Sequence, residues 1–242
     1  MDREAGLILQ KLAILWDEVK AALQRMSTAA EVRPDDAHQI FQVDGGAPAD
    51  VVAFALRPVV FNLPERANHT QLDLFVVIEG RLSLQRQAFI ERKALVTQSY
   101  GTHAAYFRRA QNRLHHVYGA HYDFSLNELG HPVFHSQMRS FSGLVGEVAA
   151  KYSVDLQPED RVQHVLRTVR LPTAQMDVFS LILQMCADHL LFAESGPEER
   201  AAFNTLVVKN MSLQGAAAQV PRLGSDSAKL CYRAQHWYPP PN

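Results

Sequence analysis

Cysteine is scarce: Cys186 and Cys231 are the two thiols in 242 residues. They form no C-x-x-C pair and no zinc-ribbon spacing, and such usage suits a reducing cytosol. Cys186 falls on an apolar helical stripe, so the expectation for it is buried packing. An excess of one charge sign is also missing. Twenty-four Lys and Arg meet twenty-five Asp and Glu, for a formal net charge of −1. That balance excludes a global pull toward nucleic acid or an anionic membrane, so any nucleic-acid role must rest on a local basic patch. No run approaches the ~18 apolar residues of a membrane span. Asp2, Glu4, Asp17 and Glu18 interrupt any basic-then-apolar signal pattern at the start. Internal repeats are absent. The expectation is a cytoplasmic protein with no membrane partner.

What remains is an ordinary globular composition, 47% hydrophobic and 20% charged, enough for one domain over 1–242 with a sizeable core. Ile8, Leu12, Leu15, Trp16, Val19 and Leu23 recur at helical spacing, so the periodicity predicts a helix within 1–28, over residues 3–26 and capped by Asp2. Its stripe serves the chain's own core or a partner. Residues 27–50 read as a loop with a short strand at Gln39–Val43. From 51 to 139 the texture is that of strands: Val51–Phe61, Leu72–Glu79, Arg81–Ile90, Ala94–Arg108, Arg113–Phe124 and Pro132–Arg139. Glu79-Gly80 reads as a hairpin tip. Residues 140–236 read as mainly helical. One helix is expected over 143–152, and a last strand over Val162–Leu171. Another helix is capped by Thr173 and carries Met176, Phe179, Leu183, Cys186 and Leu190. A further one opens at Ser195-Gly196-Pro197, and 237–242 is an extended tail. Strands followed by helices predict an α+β fold, with an antiparallel sheet of about five or six strands flanked by an N-terminal helix and C-terminal helices.

Six of the eleven histidines fall between His103 and His135. Packing gives no reason for that concentration, and histidine titrates near neutrality and ligates metals. Alternation puts His115, Val117, Gly119, His121 and Asp123 on one face of the strand, with Leu114, His116, Tyr118, Tyr122 and Phe124 on the other. A symmetric hairpin centred on Asn127 pairs Asp123 with His131 and His121 with Val133. It sets His135 opposite Gly119 and diagonal to His121, ~7 Å away. His121, Asp123, His131 and His135 then share a face opposite Tyr122 and Phe134.

Three readings of this face stay open. His121, His131, His135 and Asp123 are the candidate ligands of a divalent metal, although no H-E-x-x-H or similar motif requires one. Alternatively they are catalytic without metal: His121 and His135 act as base and acid, Asp123 orients a histidine, and Arg108, Arg109 and Arg113 bind the phosphate of an RNA or nucleotide. In the third reading the histidines only hydrogen-bond to neighbours. The tyrosines 100, 106, 118 and 122 stack bases or fill the core. His116, His164 and His189 read as structural, and Arg161, Arg167 and Arg170 as a solvated face from which Arg170 could reach the sheet.

The segments H-Y-D-F (121–124), G-H-P-V-F-H (130–135) and V-R-L-P-T (169–173) resemble an uncharacterised group of prokaryotic proteins. In that group H-Y-D is followed by H-P-x-x-H, and an R-x-P-x-T/P step leads into an apolar helix. Some members of such groups lie near toxin–antitoxin or phage-defence genes. The resemblance covers residues 121–190 and implies a bacterial accessory or toxin-like protein, without a mechanism. Two functions are therefore expected: a toxin- or defence-type protein of the nuclease or phosphodiesterase kind, or a non-catalytic module that docks a protein partner or a second copy of the chain.

Overall fold

The computed structural model describes residues 2–64, 74–110, 113–124, 131–132, 134–138, 155–156, 170–173, 175–210, 213–214 and 231–232. The chain opens on α1 (Arg3–Met26), where the Asp2 carboxylate accepts the Ala5 N–H at 2.7 Å. Ile8, Leu12, Leu15, Trp16, Val19 and Leu23 are all buried, so the stripe is turned into the chain's own core. Each such side chain contributes roughly 1.5–3 kcal/mol by leaving water. After β1 (Glu31–Arg33) comes a helical turn, α2 (Ala37–Ile40), and then β2 (Phe41–Asp44). The short strand expected from Gln39 thus begins two residues later, because the Asp36 carboxylate caps a turn by accepting the His38 N–H.

Four long strands make the centre: β3 (Val51–Leu63), β4 (Leu74–Gln85), β5 (Leu95–Ala110) and β6 (Arg113–Phe124). Glu79-Gly80 is no hairpin tip. It lies in the middle of β4, which runs unbroken through it. Gly80 has φ +151°, and a Cβ there would collide with the Gly101 carbonyl oxygen on the neighbouring strand. The glycine marks close backbone approach rather than reversal. The strand expected to continue to Ile90 ends at Gln85, where α3 (Arg86–Arg92) starts. Its polar helix formers include an i,i+4 hydrogen bond from Gln87 to Glu91, and Arg86 ties it to Asp2 at 2.7 Å.

Beyond β6 lie β7 (His131–Pro132), β8 (Phe134–Met138), β9 (Asp155–Leu156) and β10 (Arg170–Pro172). The main sheet runs β1-β3-β4-β5-β6-β8-β10 with every neighbour antiparallel. The expected helix over 143–152 and the tail fall outside the described residues, as does most of Val162–Leu171, of which 170–171 form part of β10. Helix α4 (Val178–His189) is capped by Asp177, whose carboxylate accepts the Phe179 and Ser180 N–H groups. The expected cap, Thr173, lies four residues before it. Helix α5 (Pro197–Asn210) opens at Pro197 as expected. Two short strands follow: β11 (Leu213–Gln214) pairs with β5, and β12 (Cys231–Tyr232) pairs with β7. No helix among the described residues is long and apolar enough to cross a membrane.

One sheet face packs on the helices. Trp16 meets Phe61 edge-on at 6.2 Å, and Phe41 stacks on Phe179 at 6.0 Å. Tyr100 and Phe124 belong to this core, and Tyr106 and Tyr122 pack against it. Burial pushes the Tyr106 and Tyr122 hydroxyls above the ordinary phenol range. The opposite face buries Phe75, Val77, Ala105, Phe107 and Leu114 at one end. Its other end is polar.

Two expectations follow. Gly80→Ala should destabilise the protein by about 2 kcal/mol or more, because the alanine needs both a forbidden φ and the space of a carbonyl. Denaturant unfolding measures it, and a wild-type midpoint would contradict the backbone contact. Burial pushes the Cys186 thiol up to about 12. In a Cys231→Ser background a thiol reagent at pH 8 should not label the native protein and should label it on unfolding. Above the ordinary thiol range only the unfolded state ionises, so this group's contribution to stability falls as pH rises.

Candidate functional site

Side chains on paired strands line up in rows across a sheet. Glu79 of β4 pairs with His103 of β5, and His103 pairs with His121 of β6. One step along, Arg81 pairs with Gly101, Gly101 with Asp123, and Asp123 with His135 of β8. Two cross-strand rows on four strands therefore bring one arginine, two carboxylates and three histidines together on the polar end of one face. The sheet register alone makes them neighbours, since they come from segments up to 56 residues apart.

The contacts follow the rows. His103 Nδ1 lies 3.0 Å from Glu79 Oε1. The His103 and His121 rings meet edge to face, with centroids 4.6 Å apart. His121 Nε2 lies 3.7 Å from Asp123 Oδ2, and His135 Nδ1 lies 3.0 Å from Asp123 Oδ1. This last pair is at ion-pair distance without in-line hydrogen-bond geometry. The five groups form a chain, Glu79–His103–His121–Asp123–His135. Its end is sealed, because His135 is 2% exposed while the other four side chains are each about a quarter exposed or a little less.

Gly101 opens the face. It has no side chain in the middle of the second row, and an ideal Cβ there would sit 3.5 Å from His121 Nε2. The His121 ring thus leans over the gap. The gap belongs to an open groove of about 700 Å³ whose lining includes Glu79, Arg81, His103, His121, Ser83 and Ser99. Ser83 and Ser99 pair directly, next along from Arg81 and Gly101.

His121, Asp123 and His135 do share a face, and Phe134 lies on the other with Phe124, its partner on β6. The hairpin centred on Asn127 is corrected by four residues, so that Asp123 faces His135 directly and His121 faces Gln137. Phe124 stacks on Phe134 at 5.0 Å and on Tyr100 at 6.3 Å, and that aromatic column selects the register. A shift by an even number keeps every residue on its face. His131 is not on β8. It sits on β7 opposite Cys231, and its side chain lies outside the described residues.

Val117 forms a β-bulge, since Tyr106 pairs with Tyr118 and Phe107 with His116. The bulge swaps the faces below it. His116 therefore packs its ring 5.2 Å from Phe107, away from the tyrosines it was expected to join. The tyrosines 106, 118 and 122 share the face opposite the histidine rows. His189, expected to be isolated, meets Tyr106 at 5.9 Å.

Arg108, Arg109 and Arg113 do not join the histidines. Arg109 is six residues from His103 along β5, about 20 Å at the rise of a strand, and its guanidinium lies 4.8 Å over the Phe75 ring. Arg108 falls on the opposite face, and Arg113 pairs with Ala110 at the far end. Among the described residues, the cation that lines the groove with the imidazoles is Arg81. Reading Glu79-Gly80 as a turn hides both Glu79 and Arg81, because it breaks the alternation that puts them on one face. Arg170 is placed on β10, in register with Gln137. Among the described residues no three His, Cys, Asp or Glu side chains converge as a metal-binding set. His121, Asp123 and His135 are strung along a line instead.

No family model, no curated protein and no solved structure matches this chain.

Exposure separates the three histidines. Under brief diethyl pyrocarbonate treatment His103 and His121 should be modified while native His135 is spared, as read by peptide-resolved mass spectrometry. Early modification of His135 would contradict its sealed position.

Proposed function

We propose that the groove catalyses metal-independent acid–base cleavage of a phosphodiester in RNA or a ribonucleotide. The observation that carries this reading is the pair of partly exposed imidazoles on the groove, His103 and His121, each with a carboxylate beside it. Cleavage without metal needs one imidazole to take a proton and another to give one, with a cation facing the charge on phosphorus. One imidazole removes the proton of the ribose 2′-hydroxyl, whose oxygen bonds to phosphorus. The bond from phosphorus to the 5′ oxygen breaks, and the imidazolium partner protonates that oxygen. The products are a 2′,3′-cyclic phosphate and a free 5′-hydroxyl. Glu79 and Asp123 orient the rings. His135 is sealed from the groove, so it is a positioning residue that holds Asp123, and His103 replaces it in the exchanging pair. Arg81 takes the role expected of Arg108, Arg109 and Arg113. A reaction that destroys RNA without a cofactor suits a toxin- or defence-type protein.

The purified protein should cleave a single-stranded RNA in the presence of chelator and leave the matching DNA intact, because DNA lacks the 2′-hydroxyl. His103→Ala and His121→Ala should each lower kcat/KM by about 10²–10⁴ while the protein stays folded, as read by its cooperative thermal unfolding. Full activity in both variants, or cleavage of DNA as fast as RNA, would sink the reading.

A further inference from the structure

We infer that the gap over Gly101 is the seat of the ribonucleotide's phosphate, with Arg81 as its cation. This rests on the acid–base reading of the same groove and says where its substrate is held. Arg81 is exposed, and its cross-strand neighbours are Ala55 on one side and Gly101 on the other. Flanked by the two smallest kinds of side chain, its guanidinium has room to lie over the gap, and its planar fork matches a phosphate. The two carboxylates of the cluster do not occupy it, since Glu79 contacts His103 and Asp123 contacts His121 and His135. On the other side of the gap stand Asp123, the direct partner of Gly101, and His121, whose Nε2 lies 3.5 Å from the position a Cβ would take. A phosphate there meets a guanidinium and an imidazole from opposite sides. Beyond it, the hydroxyls of the cross-strand neighbours Ser83 and Ser99 offer neutral hydrogen-bonding groups to the rest of the nucleotide.

Charge sets the condition for binding. The charged and titratable groups on this end of the face are Glu79, Arg81, His103, His121 and Asp123, with His135 sealed behind Asp123 and Arg57 of β3 at the bulge opposite Glu79. With neutral imidazoles, the carboxylates of Glu79 and Asp123 offset the guanidinium groups of Arg81 and Arg57, which leaves the cluster without net charge. Each proton taken up by a histidine raises that by one, so proton and anion favour each other's binding.

The test is a titration of the full-length protein at pH 6 with inorganic phosphate, following the histidine C2–H signals by proton NMR, with chloride at equal ionic strength as control. Phosphate should shift His121 and His103 specifically, and a nucleoside 3′-monophosphate should bind more tightly. Gly101→Ala puts a methyl group at ordinary contact distance from His121, so the fold is kept while the seat is filled. Arg81→Gln removes the cation at an exposed position. Each should weaken phosphate binding by about tenfold or more, with the melting midpoint unchanged. Shifts no larger than those from chloride would overturn the seat, as would wild-type affinity in both variants. A nucleoside 3′-monophosphate no tighter than inorganic phosphate would overturn the ribonucleotide assignment. Phosphate binding lost in both variants, in a protein that cleaves no RNA, leaves the seat standing and removes the cleavage reading. Cleavage of RNA without phosphate binding does the reverse.

Discussion

The register of β4, β5, β6 and β8 is the constraint on which everything else here depends. Alternation assigns each residue a face, and register assigns each residue a neighbour. Together they carry Glu79, Arg81, His103, His121, Asp123 and His135 to one end of one face. The register is held from the other side of the sheet. Tyr100, Phe124 and Phe134 stack in a column within the helix-covered core, and a one-residue slip would turn that column to the polar side. The apolar core thus positions the polar site without touching it.

The polar rows would be costly if left unpaired. A carboxylate losing water needs a donor, and an imidazole needs a defined partner. The rows meet this need by alternation of type: Glu79 beside His103, and Asp123 between His121 and His135. Each carboxylate is kept beside a group able to carry positive charge. The buried end at His135 is fixed and the open end at His103 and His121 is accessible, a division suited to positioning on one side and proton exchange on the other.

Two glycines shape the same region by opposite means. Gly80 is demanded by its backbone, through a positive φ and the Gly101 carbonyl against it. Gly101 tolerates a Cβ sterically, and its lack of one leaves the groove its floor. Close approach of β4 and β5 is therefore coupled to the gap between Arg81 and His121.

Much of this was legible in the sequence. Period 3.6 over 3–26 and period 2 over 113–124 reflect local burial, so α1, β6 and the α+β class could be read directly. The even-numbered spacing of His121, Asp123 and His135 was enough to put them on one face under any even register. Partners were a different matter. Pairing depends on which apolar surfaces meet, and that is decided by the Phe124–Phe134 stack and by the bulge at Val117, neither of which leaves a periodic trace. Hence Asp123 faces His135 rather than His131, and His116 leaves the tyrosines. Arg81 and Glu79 were hidden because a glycine that reads locally as a turn is, in the folded sheet, a point of backbone contact with Gly101. Local burial determined the elements and, away from the bulge, their faces. Tertiary packing decided the neighbours, because a strand's partner is chosen by the core it must share with other strands.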